Sequence, residues 1–572
     1  MQEGDAGEDH CSHTKGCKKM NDLSLTAATH DVLVVGAGPV GLTLANDLRR
    51  RGIRCRLIDS AQEAGAATKA VGIQAKTLEL LAKMGVAHTA IERGLKTSLF
   101  SIYSDGKRLV RIDFREHLQE SPYPYALMLP QHETEQVLTE HLQSQGGAIE
   151  WQRELISVTQ DEQGVEAGLR HPDGKEERVR VGWLVGCDGA HSTVRHLLGL
   201  NFAGTTSELS LAVGNVRLTW DLPSDELFAF LHQGNFIGYF PLADGRHRVV
   251  IAYEPDKAPT GEVTLQEIQQ VIDACGPAGA RASEPAELTR FHVNQRRAEH
   301  YARGRIFLAG DAAHIHSPIG AQGMNTGMQD ALNLGWKLAL MVRGQASARL
   351  LESYEAEREQ VGEDLLRGTE LAMRVALTRN PLLLALRNAL APIFFSALPA
   401  SAHRLAETLS EISIAYPHSP ITVDQRDKKG TLHAGDRAPN ALVRTREGAE
   451  PQPLFEIFTS ERSILLVLTA QQEAAAVERQ WGEIVALLSG GYQEMIEAYL
   501  VTEKATSGLD QETRQVLHDF TGELHQRYEA EQGGLVLIRP DGYIGFWGQF
   551  GATETLHGYV KALFVPGGEA QL

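Results

Sequence analysis

Three glycines spaced as Gly-x-Gly-x-x-Gly, namely Gly36, Gly38 and Gly41, stand between two apolar runs near the start of the chain. The run before them predicts a strand buried on both faces, and the run after them predicts a helix. Gly36 allows a tight turn, Gly38 lets the backbone approach a pyrophosphate, and Gly41 lets the helix pack closely on the strand. Asp59 ends the next predicted strand, where a carboxylate can accept hydrogen bonds from ribose hydroxyls. The segment therefore predicts a dinucleotide site. Its other predicted contacts are Pro39, Val40 and Ser60.

Two further turns that contain Gly and Asp each follow a predicted buried strand. Asp188 and Gly189 follow residues 181–185, and Ser192 is suited to capping the helix that comes next. Gly310 and Asp311 follow residues 305–309, which places Asp311 to contact a ribityl hydroxyl. Later glycines let the backbone lie against a flat ligand, and a helix opening at residue 323 directs its N–H groups toward the ligand's electron-rich end. The predicted cofactor contacts in these segments are Asp188, Gly310, Asp311, Pro318, Gly320, Gly323, Met324 and Asn325.

In this order and spacing, the three motifs resemble those of the single-component flavoprotein aromatic hydroxylases, the para-hydroxybenzoate hydroxylase family. Residues 69–79 resemble the segment that follows the second strand in that family, and residues 129–135 resemble the helix start whose glutamine, here Gln131, approaches the flavin. The resemblance covers about residues 30–395. Lys69 stands where relatives usually carry arginine, so its predicted contact with the pyrophosphate is that of a point charge and not of a planar fork.

The resemblance implies FAD as the bound cofactor, NADPH or NADH as a transient co-substrate, and O2 as the oxidant. NAD(P)H reduces the FAD, and O2 then adds to give a C4a-hydroperoxyflavin that hydroxylates an electron-rich ring carbon of a small phenolic or polycyclic aromatic substrate. The protein must exclude water from this site, and it should favour the phenolate form of its substrate.

Several side chains are candidates by location for roles beside the flavin. The candidate catalytic residues are Tyr239, His316 and Pro318, of which Pro318 would contribute shape and backbone contact. His232 and His314 are further candidate bases, and Arg195 is a candidate contact for NAD(P)H. The expected apolar walls are Phe230, Phe236, Phe240 and Leu242. For each of these residues a purely structural role is an open alternative.

The sequence leaves three functions open. One is hydroxylation of a phenolic ring, and another is tailoring or inactivation of a large natural product or antibiotic by the same flavin chemistry. The third is an FAD-binding reductase that does not hydroxylate its ligand. Pocket size would discriminate the first two functions. A disulfide reductase is disfavoured because no CxxC or CxxxxC pair accompanies the flavin segments.

Composition and charge narrow the class of partner. The net charge of −18 argues against nucleic acid, because phosphate binding needs a basic field. No apolar run approaches the length of a membrane span, and a polar N-terminus without a secretory pattern predicts a cytoplasmic protein. The cysteines and histidines at positions 10–17 match no common zinc spacing, so no metal site is predicted.

The elements that must position these residues predict an α/β protein. A Rossmann-like FAD-binding domain carries an inserted antiparallel-sheet substrate domain, and a helical region follows that Pro381 and Pro392 are expected to break. Two C-terminal segments resemble a thioredoxin-like domain, which without cysteines cannot run dithiol chemistry. We expect it to have a structural role or to mediate a homodimer. The predicted boundaries are a disordered tail (1–29), the FAD-binding domain in two parts (30–205 and 295–398), the substrate domain (206–294), a linker (399–433) and the thioredoxin-like domain (434–572).

Overall fold

The structure is a computed structural model. It describes residues 30–65, 70–232, 235–253, 258–315, 322–378, 380–397, 399–426, 430–446, 448–458, 461–503 and 515–566. The predicted tail and the predicted site residues Lys69, His316, Pro318 and Gly320 lie outside the described residues.

The chain alternates strands and helices up to residue 201. Its elements there are β1 (Val32–Val35), α1 (Pro39–Arg50), β2 (Cys55–Ile58), β3 (Gly72–Ile73), α2 (Ala75–Lys83), α3 (Ala87–Arg93), β4 (Leu95–Thr97), β5 (Leu99–Ser104), β6 (Lys107–Asp113), α4 (Phe114–His117), β7 (Ala126–Met128), α5 (Gln131–Ser144), β8 (Ile149–Glu150), β9 (Glu154–Gln160), β10 (Val165–Arg170), β11 (Glu176–Val181), β12 (Trp183–Gly186) and α6 (Thr193–Leu197).

Long strands follow, and then a region dominated by helices. The elements of residues 202–409 are β13 (Phe202–Thr219), β14 (Glu226–His232), β15 (Asn235–Pro241), β16 (His247–Tyr253), α7 (Leu265–Cys275), β17 (Arg281–Ala298), β18 (Ala302–Arg303), β19 (Ile306–Leu308), a 3-10 turn (Gly310–Ala312), β20 (His314–Ile315), α8 (Gly323–Val342), α9 (Ala348–Ala376), α10 (Pro381–Ala397) and α11 (Pro399–Leu409).

The C-terminal part is a second α/β unit. Its elements are β21 (Val423–Gln425), β22 (Leu442–Val443), β23 (Gln452–Pro453), α12 (Leu454–Ile457), β24 (Ser463–Leu468), α13 (Ala474–Ser489), β25 (Ile496–Thr502), β26 (Val516–His518), α14 (Glu523–Arg527), β27 (Gly534–Ile538), β28 (Ile544–Gln549) and α15 (Thr553–Leu563).

A sheet in the order β18-β19-β12-β1-β2-β8 positions the three motifs. β1 pairs in parallel with β2 and β12, and β12 pairs in parallel with β19. The strand β1 is fully buried, as expected for a parallel strand covered on both faces. Because parallel strands end at the same edge, Val35 lies opposite Gly186, and Gly186 lies opposite Leu308. One of the three motifs follows each of these strand ends.

A second sheet, in the order β20-β17-β13-β16-β15-β14-β5-β6, is antiparallel except where β14 runs parallel to β5. Helix α7 covers one face, and its side chains Ile268 and Ile272 are buried there. The strands β5 and β6 come from the range that the sequence predicts as the first FAD-binding part. They pair with each other as a local hairpin, but β5 also pairs with β14, which lies more than a hundred residues further along the chain, and such a distant pairing leaves no local periodic signal.

The helical region departs from expectation at one of its two prolines. Pro381 begins α10, a position where proline is tolerated because its missing N–H would have no helical partner. Pro392 lies inside α10, and the helix continues through it, so the expected break at Pro392 is wrong.

Three findings on the described residues bear on metals, disulfides and membranes. No group of three or more potential ligands is placed to hold a metal ion, and Cys55, Cys187 and Cys275 are buried without a disulfide. No single helix in these ranges has the length and apolarity to cross a bilayer. One bent pair of helices, Pro381–Phe395 with Ala400–Leu409, together has the length and composition of a membrane span, across a bend of 99°.

The C-terminal sheet has the order β21-β28-β27-β24-β25-β26. β24 is parallel to β25 and antiparallel to β27, and β27 forms a hairpin with β28. Its thioredoxin-like assignment and the domain boundaries stay predictions.

Candidate functional site

The turn between β1 and α1 admits only glycine at two positions. Gly36 has a φ of +103°, and a Cβ there would overlap the carbonyl oxygen of Cys187. A Cβ on Gly41 would overlap the carbonyl oxygen of Gly36. A Cβ on Gly38 would meet no described atom within 4 Å, so Gly38 borders open space at the N-terminus of α1. No side chain of the described residues caps this helix, so its first N–H groups remain available to an anionic group.

The carboxylate of Asp59 lies directly beside this turn. Its Oδ2 accepts a hydrogen bond from the N–H of Ala37 at 2.7 Å, and its Oδ1 accepts one from the N–H of Ala61 at 2.8 Å. Ser60 is exposed at the same edge. Asp59 and Ser60 therefore stand where a ribose would follow a pyrophosphate bound at Gly38.

Asp188 reaches the glycine-rich turn from the neighbouring strand. Its Oδ2 accepts a hydrogen bond from the N–H of Val194 at 3.1 Å, and Ser192 caps α6 by accepting one from the N–H of Arg195. The Oδ1 of Asp188 is buried and has no hydrogen-bond partner among the described residues. Burial raises the pKa of Asp188. One carboxyl oxygen therefore serves the fold, and the other can receive a donor from outside the chain.

The third motif packs against the first. Gly310 has a φ of +62°, and a Cβ there would lie 2.7 Å from Cγ2 of Val40. The side chain of Asp311 is exposed at this edge. The structure therefore brings the three motifs, which are far apart in the sequence, to one edge of the parallel sheet.

Helix α8 begins at the same edge with Gly323 and Met324, both half-buried. The side chain of Asn325 turns away from this end and ties α8 to β3. It accepts a hydrogen bond from the N–H of Gln74 and donates one to the carbonyl of Gly72, both at 2.9 Å. The geometry of the Asn325 side chain therefore favours contacts within the protein over a direct contact with the cofactor.

Gln131 binds the backbone of Ala70, which directly follows the predicted contact Lys69 in the sequence. Its Oε1 accepts a hydrogen bond from the N–H of Ala70 at 3.3 Å, and its N–H donates to the carbonyl of Ala70 at 3.0 Å. Its Nε2 donates to Glu135 at 2.8 Å. Gln131 thus positions the segment that precedes β3.

Two family models match the chain. One, described as an FAD binding domain, matches residues 29–369, and the other, described as the C-terminal domain of aromatic-ring hydroxylases, matches residues 431–566. The chain belongs to the FAD-dependent aromatic hydroxylases. The mixed α/β fold with an FAD-binding domain, FAD as the cofactor and the class of flavoprotein monooxygenase are thereby confirmed.

Relatives cover nearly the whole chain. The 6-methylpretetramide 4-monooxygenase of Streptomyces rimosus is 35% identical over 552 residues, which are 93% of each chain. The pentachlorophenol 4-monooxygenase of Sphingobium chlorophenolicum is 31% identical, over 90% of this chain and 93% of its own. The structure of the anhydrotetracycline hydroxylase OxyS from Streptomyces rimosus superposes with a TM-score of 0.71 at 28% identity, covering 94% of this chain and 100% of its own.

Tyr239 lies on the face of the monooxygenase's eight-stranded sheet that α7 covers. It is fully buried under α7 with Trp220 and Phe230 as its ring neighbours, and burial raises its pKa. Its hydroxyl has no hydrogen-bond partner among the described residues. Side chains alternate along a strand, so Phe236 and Phe240 point to the opposite face. The structure therefore argues against the predicted catalytic role of Tyr239.

The other candidate bases and the candidate NAD(P)H contact that the structure describes make contacts within the protein. His232 contacts Asp105 at 2.8 Å near the surface, and His314 contacts buried Asp330 at 2.7 Å. The guanidinium of Arg195 donates to the carbonyls of Ala190 and Ala312, both at 2.9 Å, and stacks on Phe202. Arg195 therefore joins the second motif to the third, and its buried position does not suit a transient NAD(P)H contact.

Three of the four expected wall residues lie on the face of the eight-stranded sheet opposite α7, which we call the inner face. Phe240 and Leu242 pack near Val71 and Met128 of the FAD-binding part, and Phe236 packs near Leu209. Phe230 lies on the other face, under α7. A Cβ on Gly238 would lie 3.0–3.1 Å from the rings of Phe236 and Phe240, so the two rings close over that glycine. Both rings remain only half-buried.

Sequence reasoning missed the pair Asp330 and Arg358, which hold the third motif. Asp330 Oδ2 accepts a hydrogen bond from the N–H of Gly310 at 2.9 Å, and Arg358 binds the other oxygen of Asp330 at 2.5 Å. Both side chains are fully buried. The available signal was the presence of charged residues within α8 and α9, and a charged residue in a helix does not reveal its partner.

Proposed function

We propose that this monooxygenase uses NAD(P)H and O2 to hydroxylate a planar, fused-ring phenolic substrate that binds between β15 and the flavin. The observation that carries the proposal is the half-buried aromatic surface of Phe236 and Phe240 on the inner face of the sheet. A flat apolar surface of two rings suits a flat apolar ligand. The printed substrates of two relatives, 6-methylpretetramide and anhydrotetracycline, support this class of ligand.

The residues at the strand edge fit FAD. The open space at Gly38 and the uncapped start of α1 would receive the pyrophosphate, and Asp59 with Ser60 would receive the ribose. The buried Oδ1 of Asp188 lacks a donor within the described residues, which suits a hydroxyl of the cofactor. Gly310, Asp311 and the first residues of α8 would border the rest of it. When bound, FAD supplies the electron transfer and the oxygen transfer.

The chain's own residues bind, orient and shield. Phe236, Phe240 and Leu242 line the inner face with apolar surface, which keeps water from the reacting centre. Of the candidate bases, His316 lies outside the described residues, so its role in deprotonating the phenol stays a prediction, as does the shaping role of Pro318.

A single-ring phenol is the second candidate substrate. The pentachlorophenol 4-monooxygenase relative, aligned over nine-tenths of this chain, favours it. The two candidates differ in how much of the aromatic surface the ligand covers.

Ligand-dependent turnover tests the proposal. The holoenzyme is mixed with NADPH or NADH and with phenol, a naphthol or a hydroxyanthraquinone, while O2 uptake and product mass are followed. We expect the hydroxyanthraquinone to accelerate NAD(P)H oxidation most and to yield a product heavier by one oxygen. Product from phenol alone would favour the single-ring candidate, and no oxygenated product from any ligand would reject hydroxylation of these ligands.

Two matched variants test on which face of the sheet the substrate binds. Phe240→Leu removes a ring from the inner face, and we expect the KM for the fused-ring substrate to rise about tenfold. Phe230→Leu removes a ring from the α7 face, so it lowers stability and leaves KM unchanged. Equal effects of both variants on KM would contradict binding on the inner face.

A further inference from the structure

The turn between β27 and β28 reaches from the C-terminal sheet into the helices of the FAD-binding part. Arg539 in this turn binds both oxygens of Glu357 on α9, at 2.6 and 2.9 Å. Lys337 on α8 donates to Glu357 at 2.8 Å, and Asn333 donates to Asp541 of the turn at 3.2 Å. All of these side chains are at most 4% exposed. The two acids balance the two bases, which is the condition for keeping such charges buried.

A second contact from the same turn leads toward the flavin site. The ring of Tyr543 lies 4.4 Å, centroid to centroid, from the ring of Tyr416 in the linker. The hydroxyl of Tyr416 accepts a hydrogen bond from Nη1 of Arg358 at 2.7 Å. Arg358 directly follows Glu357 on α9, so both contacts of the turn end on neighbouring residues of one helix.

Arg358 carries the connection to the third motif. Its Nε binds Oδ1 of Asp330 at 2.5 Å, and its Nη2 donates to the carbonyl of Thr326 at 3.1 Å. Asp330 Oδ2 accepts hydrogen bonds from the N–H of Gly310 at 2.9 Å and from Nε2 of His314 at 2.7 Å. Asp330 therefore holds both ends of the loop of residues 310–314.

The Asp330 carboxylate is charged and buried, so it has to stay paired with Arg358. Burial raises the pKa of Asp330, but the charges of Arg358 and His314 and the bonds from His314 and Gly310 outweigh burial and lower the pKa to about 2. A buried carboxylate is costly unless its cation is in place. A shift of Arg358 should therefore shift Asp330 and the loop that Asp330 holds.

We propose that the turn of residues 539–543 positions the flavin-binding loop of residues 310–314, with Tyr416, Arg358 and Asp330 as positioning residues. The inference rests on the proposed contact of Gly310 and Asp311 with FAD. It assigns to the C-terminal domain a role in cofactor binding, although β1, β12 and β19, whose ends carry the three motifs, all belong to the FAD-binding part.

Tyr416→Phe in the full-length protein tests the connection, because it deletes the hydroxyl that accepts from Nη1 of Arg358 and keeps the ring. The control is Tyr528→Phe, which removes a similarly buried hydroxyl whose hydrogen bond at 2.9 Å goes to the carbonyl of Pro439. We expect the FAD dissociation constant to rise about tenfold in Tyr416→Phe and to stay unchanged in Tyr528→Phe. The visible absorption band of the bound flavin should also shift only in Tyr416→Phe.

Hydrogen exchange supplies a readout that does not depend on FAD. The amide of Gly310 donates to Asp330, and we expect it to exchange faster in Tyr416→Phe but not in Tyr528→Phe, before and after FAD is added. Arg539→Lys keeps the charge but loses the fork, and it should act in the same direction from within the turn.

Distinct outcomes separate the two proposals. If Tyr416→Phe and Tyr528→Phe lose the same stability while FAD affinity and Gly310 exchange stay as in the wild type, the positioning role is rejected. If Asp311→Asn leaves FAD affinity unchanged, the proposed cofactor contact of the loop fails, and Gly310 exchange in Tyr416→Phe still decides the positioning role.

Discussion

Gly36, Gly38 and Gly41, in the turn between β1 and α1, differ in what a side chain added at each position would contact. Gly36 and Gly41 face backbone of the protein itself, whereas Gly38 faces open space. Gly36 and Gly41 are therefore required by the fold, whereas we expect Gly38 to be required only by a ligand that comes close to the backbone.

Gly38→Ala and Gly41→Ala separate these requirements. We expect Gly41→Ala to lower the free energy of unfolding of the FAD-free protein by about 3 kcal/mol, because its Cβ overlaps Gly36. Gly38→Ala should leave that free energy unchanged and still abolish tight FAD binding. Urea unfolding and flavin fluorescence titration measure the two effects. Unchanged FAD affinity in Gly38→Ala would contradict a pyrophosphate at this position.

Glu411 is a buried acid whose hydrogen-bond donors are neutral. Its side chain receives a hydrogen bond from Thr326 at 3.2 Å and another from Gln329. Burial raises its pKa from 4.5 to about 8, against the opposing bonds from Thr326 and Gln329 and the charge of Arg358. The folded state therefore favours the neutral acid, and its contribution to stability is present below pH 4.5 and lost as the pH rises through 8.

Glu411→Gln removes this titration with little change of shape. Relative to the variant, the wild type should lose about 1.4 kcal/mol of unfolding free energy per pH unit between pH 4.5 and 8. Urea unfolding of both proteins at pH 5, 6.5 and 8 provides the comparison. Parallel pH profiles would show that Glu411 is already ionised in the folded protein.

Successive side chains of the strand β15 point to opposite faces of the sheet. Phe236, Gly238 and Phe240 face the FAD-binding part, while Ile237 and Tyr239 face α7. The same strand thus supplies the proposed substrate wall on one side and the domain core on the other.

Tyr239→Phe tests this assignment. The variant removes a buried hydroxyl that lacks a partner among the described residues, so the unfolding free energy should rise by about 1 kcal/mol. We expect kcat to stay within twofold of the wild type, measured with any substrate that the enzyme turns over. A loss of kcat of a hundredfold or more, without loss of stability, would restore Tyr239 as a catalytic residue.

At the scale of the whole molecule, buried charges join the C-terminal domain to the FAD-binding part. Arg437 binds both oxygens of Glu79, at 2.6 and 2.9 Å, and Lys76 lies 4.4 Å from the centre of the Tyr543 ring. Burial lowers the pKa of Lys76 to about 7, although the charge of Glu79 opposes this shift. Such contacts predict that the two parts unfold together. A homodimer stays a prediction.

A double-mutant cycle on this interface gives a quantitative test. Arg437→Met should cost about 3–5 kcal/mol of unfolding free energy, because it leaves Glu79 buried without its main partner. Glu79→Met combined with Arg437→Met should recover more than half of that cost. Urea unfolding monitored by both flavin and tryptophan signals measures the cycle and shows whether one transition remains. Additive costs of the two substitutions would contradict direct pairing.

The sequence was sufficient to predict the strand edge where the three motifs meet. Each of its three motifs is a local pattern, a buried strand followed by a Gly- and Asp-containing turn, and parallel strands necessarily end at one edge. Asp59, Asp188 and Gly310 could therefore be placed near one another without a structure. The family resemblance then identified FAD and the class of reaction.

The three-dimensional fold was needed to show which side chains face that edge and which contacts hold it. Both faces of β15 are apolar, so alternation could not tell that Tyr239 faces α7 while Phe240 faces the FAD-binding part. The pairing of β5 with β14 and the connection from Tyr543 through Arg358 to Asp330 join residues that are distant in the chain. A buried charge is stable only beside a partner, and a sequence shows the charge without showing where the fold brings its partner.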